Sequence, residues 1–525
     1  MREILFPGKI FETVKDHIMK DSPREQFAFL LCGHRQGRDS LKLLVREVVI
    51  PDKKHLAYQH NGGVCPKKDF QIKVYQRSYD EKAGLIDIHS HPLASEKVVF
   101  SPIDDLSELG TSKKEGTFPY LTRKINGIYL ASLVFGKSSI DARLYVPERK
   151  KAFPIDRIRI LGDTVEDIIP TSSHRKHENC FDKDSSLYSR QILAFGAYGQ
   201  EKLSRTKVGV IGAGGLGSIV IECLARLGVG GIVCVDDDTV EESNISRMLG
   251  SFPDDAKNKR KKVDVMQRHV KKTNSRVAFK GIIGSVLNPS VLEKLKEVDC
   301  LISGTDTQSS RLVLNSFSVQ YLIPLIDLGT EIVLDGEGKR IDRAGGRVRI
   351  VRPGTWCLRC YPGEIDERDV ARETASDFDR KRDLRLGYIR GADIPDPSVI
   401  SLNMTVASLG ISEFLNLFTG FKDGATYIAY YLLRSEVKNV GINHGNDYCP
   451  ICGRDGLLGL GDRESLRDIR ESGPLPSLPE PNFKRMLTHE TNTAHYTDKS
   501  EKMRLPGSAR GGSKASTKTN IRQLC

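Results

Sequence analysis

The stretch VGVIGAGGLGSIV, residues 208–220, followed by IVCVDDDTV at 232–240, decides how the second half of the chain folds. It reads as apolar strand, glycine-rich turn, apolar helix, second apolar strand and then acid, the order of a nucleotide-binding β-α-β unit. Gly212, Gly214, Gly215 and Gly217 lack side chains, so the turn tightens and its backbone approaches a polyphosphate at a helix N-terminus. Asp236, 22 positions after Gly214, falls where the second strand ends and where a carboxylate binds ribose hydroxyls. An NAD used for hydride transfer satisfies that pattern as well as an ATP does. The glycines alone do not choose between them.

A chain of 525 residues is too long for one ordinary core and implies several domains. Its hydrophobic residues, 39% of the total, are those of a globular protein. The opening MREILFPGKIFETVKDHIMK carries charges throughout and has no apolar signal core. No apolar run reaches the roughly 18 residues of a membrane span, so none is expected. An odd count of 11 cysteines without a secretory signal points to a reducing, cytoplasmic setting rather than a disulfide framework. The net charge of +12, scattered along the chain as well as gathered in KNKRKK at 257–262, reads as a solvated basic face, with nucleic acid or an acidic protein partner as the alternatives. With the motifs read below, nucleic acid is not the expected partner.

Residues 1–150 mix a helical opening segment with short β-rich runs such as QFAFLLCG, LLVREVVIP and GIYLASLVFG, the pattern of an α+β domain. Residues 151–187, with the polar stretch TSSHRKHENCFDKDSSL at 171–187, read as a linker. From Tyr188 to 456 strands and helices alternate, which predicts an α/β domain with a mainly parallel sheet. The charged segment 361–396 reads as a long crossover, and long loops inside a domain are usually functional. Residues 457–525 turn rich in Pro, Ser, Gly, Lys and Thr and read as a disordered tail.

A dehydrogenase needs a proton-handling residue near its nicotinamide, and no catalytic histidine is apparent in the second half of the sheet. NISR (Asn244, Arg247), KKVDV (Lys262) and SGTDTQSSR (Asp306, Arg311) follow the ribose acid instead. Cations with one carboxylate gathered at strand ends suit a triphosphate with magnesium. Such equipment fits attack of a carboxylate on an α-phosphate with pyrophosphate leaving. Singly, Arg247 and Lys262 also read as surface charges, and Asp306 as a helix cap.

Together with YSRQILAFGAYGQEKL and two Cys-x-x-Cys pairs, these motifs resemble the ThiF/MoeB/HesA adenylyltransferases, relatives of the ubiquitin-activating enzymes, over about 188–456. The resemblance implies a homodimer with a Rossmann-like fold that adenylates the C-terminal glycine of a ubiquitin-like or sulfur-carrier protein. It implies that Gly212, Gly214, Gly215 and Gly217 line ATP and that Asp236 binds ribose. Asn244, Arg247 and Lys262 would contact phosphates, and Asp306 would hold Mg2+. Arg190, in YSRQ, would reach the nucleotide of the partner subunit. The chain reads KRKK where the family has its phosphate lysine, so Lys261 and Lys259 stand as alternatives to Lys262. The nucleotide is then ATP, not NAD.

Cys357 and Cys360 form one pair, in GTWCLRCYPG, and Cys449 and Cys452 the other, in NDYCPICG, with 88 residues between them. Flanking turn residues let two thiolates from each pair face one ion, which predicts a structural zinc site made of four cysteines. A redox pair or a zinc ribbon for nucleic acid is the weaker reading. Residues 361–448 hold no cysteine, so transfer to an enzyme-bound thioester in that crossover is not expected.

LIDIHSHP places His89 and His91 at i and i+2 at the end of an apolar strand, on one face and able to share a metal. FSPIDDL follows with Asp104 as a third ligand, leaving a position for water. Glu25, in REQFAFLLCG, is the candidate general base for peptide hydrolysis. Ser-Pro-x-Asp at 101–104 also reads as a helix capping box. Taken together the motifs resemble the JAB/MPN (JAMM) metalloproteases. That resemblance implies catalytic zinc on His89, His91 and Asp104, with Ser101 supporting the tetrahedral intermediate and Glu25 as base. The gap from His91 to Ser101 is longer than usual in that motif, which leaves Asp105 as a substitute ligand. One chain would then trim or deconjugate a modifier and adenylate its exposed carboxylate; the alternative is an adenylation enzyme whose N-terminal domain is a binding scaffold.

Overall fold

The computed structural model describes residues 1–20, 23–94, 97–173, 186–336, 338–360, 365–374, 397–441 and 445–466. Most of the 171–187 stretch with Cys180, most of the 361–396 crossover and the tail from 467 lie outside the described residues.

The first sheet has nine strands: β1 (Arg2–Pro7), β2 (Phe27–Gln36), β3 (Leu41–Val49), β6 (Gly84–Ser90), β7 (Leu130–Phe135), β8 (Ile140–Val146), β9 (Lys151–Pro154), β10 (Arg157–Leu161) and β11 (Val165–Ile168). Between β3 and β6 lies a separate hairpin, β4 (Leu56–His60) and β5 (Gly63–Pro66). The sheet order is β11-β10-β1-β3-β2-β6-β7-β8-β9, with parallel and antiparallel neighbours. The apolar run in β2 is continuous because both faces are covered. Leu30 and Cys32 join Phe11, Val14 and Ile18 of the helix Gly8–Ile18, whereas Phe29 and Leu31 join Phe70 and Val74 of the helix Lys68–Asp80.

This sheet does not end at residue 150. β9, β10 and β11 lie in the stretch assigned to a linker, and they complete the sheet at both edges. Their alternating charges disguised them: Arg157 and Arg159 pair with Asp167 across β10 and β11 at 3.1 and 2.8 Å.

The second sheet runs β14-β13-β12-β15-β16-β17-β18-β19. Its strands are β12 (Lys207–Ile211), β13 (Gly231–Val235), β14 (Ala278–Ile282), β15 (Cys300–Ser303), β16 (Leu325–Leu334), β17 (Ile341–Val351), β18 (Tyr427–Tyr431) and β19 (Glu436–Asn439). β12 to β16 are parallel and the last three strands join antiparallel, as a mainly parallel Rossmann-like α/β sheet requires. β12 has β13 on one side and β15 on the other, so the strand order reverses there and opens a crevice at the strand C-termini.

The two sheets share contacts and do not behave as beads on a string. Leu5, Leu44, Leu161 and Val165 of the first belong to the same apolar core as Leu203, Leu417 and Phe418 of the second. Asp299, just before β15, takes Arg159 at 2.5 Å and the Lys207 N–H at 2.9 Å. Arg159 holds the Asp299 carboxyl well below the usual range, overcoming its burial. Residues 457–466, read as part of the tail, form a strap on the first sheet. Gly33 N–H donates to Gly459 O at 3.1 Å, Asp462 N–H to His34 O at 2.7 Å, and Asp462 also pairs with Lys296 at 2.5 Å. Asp299→Ala leaves Arg159 buried without this partner, and a loss of about 3 kcal/mol is expected in chemical denaturation. An unchanged denaturation midpoint would show that the pair does not hold the sheets together. Among the described residues no helix is long and apolar enough to cross a membrane.

Candidate active sites

The crevice at the end of β12 and β15 is a cavity of about 1010 Å³. Gly212, leaving β12, has φ +89°, a left-handed conformation that glycine adopts without strain. Gly214 is the N-cap of the helix Gly215–Leu227. A Cβ on Gly217 would sit 1.8 Å from Gly212 O, so this glycine serves close packing of helix on turn and does not line the cavity. Asp236 follows β13 and is anchored by backbone: Ala213 N–H donates to Oδ2 at 2.7 Å and Asp238 N–H to Oδ1 at 2.9 Å. Burial raises its carboxyl despite those bonds.

Gly212, Gly214, Gly215, Asp236, Asn244, Arg247, Lys262 and Asp306 all line this one cavity. Asn244 is buried and accepts the Glu241 N–H through Oδ1 at 3.1 Å. Lys262 begins the helix Lys262–Thr273 and its Nζ lies 2.7 Å from Asp238 Oδ2. Lys261 turns to Asp237 O at 2.7 Å, and neither it nor Lys259 reaches the cavity wall. The cap reading of Asp306 is not what forms: Thr307 is the N-cap of the helix Gln308–Tyr321, and Asp306 stays exposed at the cavity. Arg190 is exposed in the first turn of the helix Ser189–Arg205 and does not line the cavity of its own chain.

The structure adds Asn403 and Glu373, which the motifs did not reveal, and places Arg311, which they did. Asn403, buried in the apolar helix Ile400–Thr419, accepts from Thr330 at 3.1 Å and donates to Ser398 at 3.2 Å beside Gly215. Its signal was an amide inside an apolar run, which Asn416 in the same helix shares. Arg311 donates to Thr305 O at 3.1 Å and lies 3.6 Å from the fully buried Asp327, which Arg349 also meets at 2.5 Å. Glu373 lines the same cavity from the helix Glu367–Thr374.

The four predicted cysteines converge. Cys357 Sγ lies 3.9 Å from Cys360 and 3.7 Å from Cys449, and Cys360 lies 3.2 Å from Cys452. A tetrahedral ion with metal–sulfur bonds of about 2.3 Å needs sulfur separations near these. The Asn446 N–H points at Cys360 Sγ from 3.4 Å, as a thiolate favours. The geometry fits zinc, in a knuckle packed on Trp356 and Ile451 away from the nucleotide cavity. Cys357→Ser or Cys449→Ser is expected to release one zinc and lower the melting temperature, since structural metal contributes folding free energy. Unchanged metal content in both variants would remove the site.

In the first sheet, His89 is the penultimate residue of β6 and His91 follows the strand, with ring centroids 4.9 Å apart. His89 Nε2 lies 3.2 Å from Asp104 Oδ1 and His91 Nε2 3.5 Å from Asp104 Oδ2. His89 Nε2 is buried without a hydrogen-bond partner, and the three donors lie within 4.8 Å of one another, as a shared cation requires. The capping box is also real: Ser101 Oγ accepts the Asp104 N–H at 3.3 Å, and Asp104 Oδ2 accepts the Ser101 N–H at 2.6 Å. Cap and ligand are compatible because the cap aims Asp104 at the histidines. Asp105, the substitute, instead pairs with Arg143 at 2.5 Å and is not among the three clustered donors. Glu25 is buried just before β2, and that burial raises its carboxyl above the usual range. The β4–β5 hairpin grips its backbone: Glu25 N–H donates to His60 O at 3.0 Å and Gln59 Nε2 to Glu25 O at 2.9 Å.

The ThiF family profile matches residues 188–451. The sulfur carrier protein ThiS adenylyltransferase of Bacillus subtilis is 28% identical over 51% of this chain and 71% of its own length. The SAMP-activating enzyme E1 of Haloferax volcanii is 35% identical over 54% of this chain and 92% of its own. The adenylyltransferase and sulfurtransferase MOCS3 of Anopheles gambiae is 32% identical over 35% of this chain, which spans 41% of it. With a glycine-rich turn, the acid Asp236 and the cations Arg247 and Lys262 around one cavity, the chain belongs to the ThiF family.

Proposed function

We propose that this protein uses ATP to adenylate the C-terminal carboxylate of a ubiquitin-like or sulfur-carrier protein. The observation that carries this reading is the convergence of Gly212, Asp236, Asn244, Arg247, Lys262 and Asp306, spread over 95 residues of sequence, on one cavity of a ThiF-family fold. Similar chains are named for adenylating or activating such carriers. A carboxylate oxygen of the substrate attacks the α-phosphorus, the bond to the β-phosphate oxygen breaks, and pyrophosphate leaves. Asp236 accepts from the ribose hydroxyls. Arg247 and Lys262 neutralise the phosphate oxygens as charge builds there, which stabilises the transition state more than the ground state. Lys262 must exchange Asp238 for phosphate when ATP enters. Asp306 would hold Mg2+, which when bound offsets the charge of the leaving pyrophosphate.

A homodimer is part of this reading. Leu187, Leu193 and Tyr198, beside Arg190, are 62%, 81% and 62% exposed, an unusual apolar display near a predicted cross-subunit arginine. Arg190→Ala is then expected to reduce exchange only through the partner's site.

The second part of the proposal is a JAB/MPN-type centre that trims or deconjugates the modifier. His89, His91 and Asp104 would hold zinc, which when bound activates water for peptide hydrolysis. Glu25 takes the proton of the attacking water, and Ser101, whose oxygen accepts the Asp104 N–H, keeps its own proton to donate to the developing oxyanion. The scaffold alternative draws on the same capping box, since Ser101 and Asp104 would be needed for the helix Pro102–Glu108 alone. Metal analysis of the purified chain decides: two zinc ions support hydrolysis, one supports the scaffold.

A further inference from the structure

We propose that Glu373 is a positioning residue for the adenylation site, holding in place the turn that presents Asp306; this rests on the adenylation reading. The helix Gln308–Tyr321 starts at the cavity, and its N-cap Thr307 provides no side-chain cap. The Thr307 hydroxyl is spent on Ser310 Oγ at 2.7 Å. A helix start leaves its first N–H groups without intrahelical acceptors. Here Gln308 N–H donates to Glu373 Oε1 at 3.0 Å and Ser309 N–H to Glu373 Oε2 at 2.7 Å. One carboxylate, 65 residues away in the chain, thus takes two adjacent donors in a charge-assisted pair, with the helix dipole in its favour.

The other end of the turn is tied separately. Arg311 donates to Thr305 O at 3.1 Å, and the Ser303 and Thr305 hydroxyls lie 3.2 Å apart. Asp306 lies between these two anchors, and both Asp306 and Glu373 line the nucleotide cavity. Without Glu373 two donors lose their acceptor and residues 305–309 loosen on one side. Asp306 then meets its cation from a range of positions rather than one.

The consequence is specific to the magnesium-dependent part of nucleotide binding. The full-length chain is titrated with ATP, once with excess magnesium and once with EDTA, and amide exchange is followed over 305–309. Glu373→Ala is expected to weaken MgATP about five-fold, the size of a lost helix cap, and to leave ATP in EDTA within about two-fold. Glu373→Gln keeps one acceptor oxygen and falls between; it serves as the test should the alanine variant not fold. Combining Glu373→Ala with Asp306→Ala should weaken MgATP no further than Asp306→Ala alone. Equal losses with and without magnesium would reduce Glu373 to a fold residue and overturn the proposal. Unchanged or tighter MgATP binding would overturn it too, the latter because a carboxylate that merely repels phosphate gives that sign. A wild-type chain that does not bind ATP defeats the adenylation reading itself, which is a different result.

Discussion

Asp306→Ala is expected to lower ATP–pyrophosphate exchange by about 10²-fold or more, because one preorganised contact to the reacting charge is worth several kcal/mol. The assay needs magnesium and a ubiquitin-like partner ending in glycine, and it reads incorporation of labelled pyrophosphate into ATP. The structure makes this a clean substitution. Asp306 is exposed at the cavity and does not cap the following helix, whose first N–H groups go to Glu373. Removing its carboxylate therefore leaves no buried donor unsatisfied, and the melting temperature should hold. Arg247→Ala is expected to act in the same direction, since Arg247 lies against Gly215 in the phosphate turn. Exchange at the wild-type rate in Asp306→Ala sinks the assignment.

Glu25→Ala and His91→Ala are expected to abolish cleavage of a ubiquitin-like precursor that carries residues beyond its terminal glycine. A general base contributes about 10²–10⁴-fold, enough to take a slow peptidase to background. The two variants differ in metal: Glu25→Ala keeps zinc, because Glu25 is not among the three clustered donors, and His91→Ala loses it. The Glu25 backbone is held by His60 and Gln59, so truncating its side chain leaves the local chain path tied. Adenylation of an already mature partner should continue in both, since every residue lining the nucleotide cavity lies between 211 and 403. Conversely, Asp306→Ala should leave cleavage intact. If Glu25→Ala still cleaves with zinc present, the base lies elsewhere. If neither the wild type nor the variant cleaves, the N-terminal module only docks its partner.

The motifs were legible because each is a local requirement. A tight turn after β12 needs glycines such as Gly212 and Gly214, the β-α-β pattern places an acid, Asp236, after the second strand, and Cys-x-x-Cys spacing brings two thiols to one point. The β-α-β alternation follows from apolar periodicity, which is also local. The boundaries were not legible. β10 and β11 carry charges that read as a linker, and only their pairing across the sheet buries Arg157 and Arg159 against the half-buried Asp167. The 457–466 strap has no strong pattern of its own, and its order comes from acceptors and donors on His34, Lys296 and Gln320 far away in the chain.

The sequence by itself therefore determined the ThiF-type family, which four cysteines and which His-x-His-Asp set would come together, and the α/β character of the second half, because spacing along one strand or turn encodes each of them. Only the tertiary structure decided which neighbour serves. It put Lys262, and neither Lys259 nor Lys261, on the cavity wall, set Asp104 against the histidines while Asp105 pairs with Arg143, and capped the Asp306 turn with Glu373. It also joined the two sheets through Asp299 and Arg159 where a linker had been expected. Adjacent residues of one type are equivalent in a sequence. They differ once folding aims each at a different partner and burial makes the unmatched alternative costly.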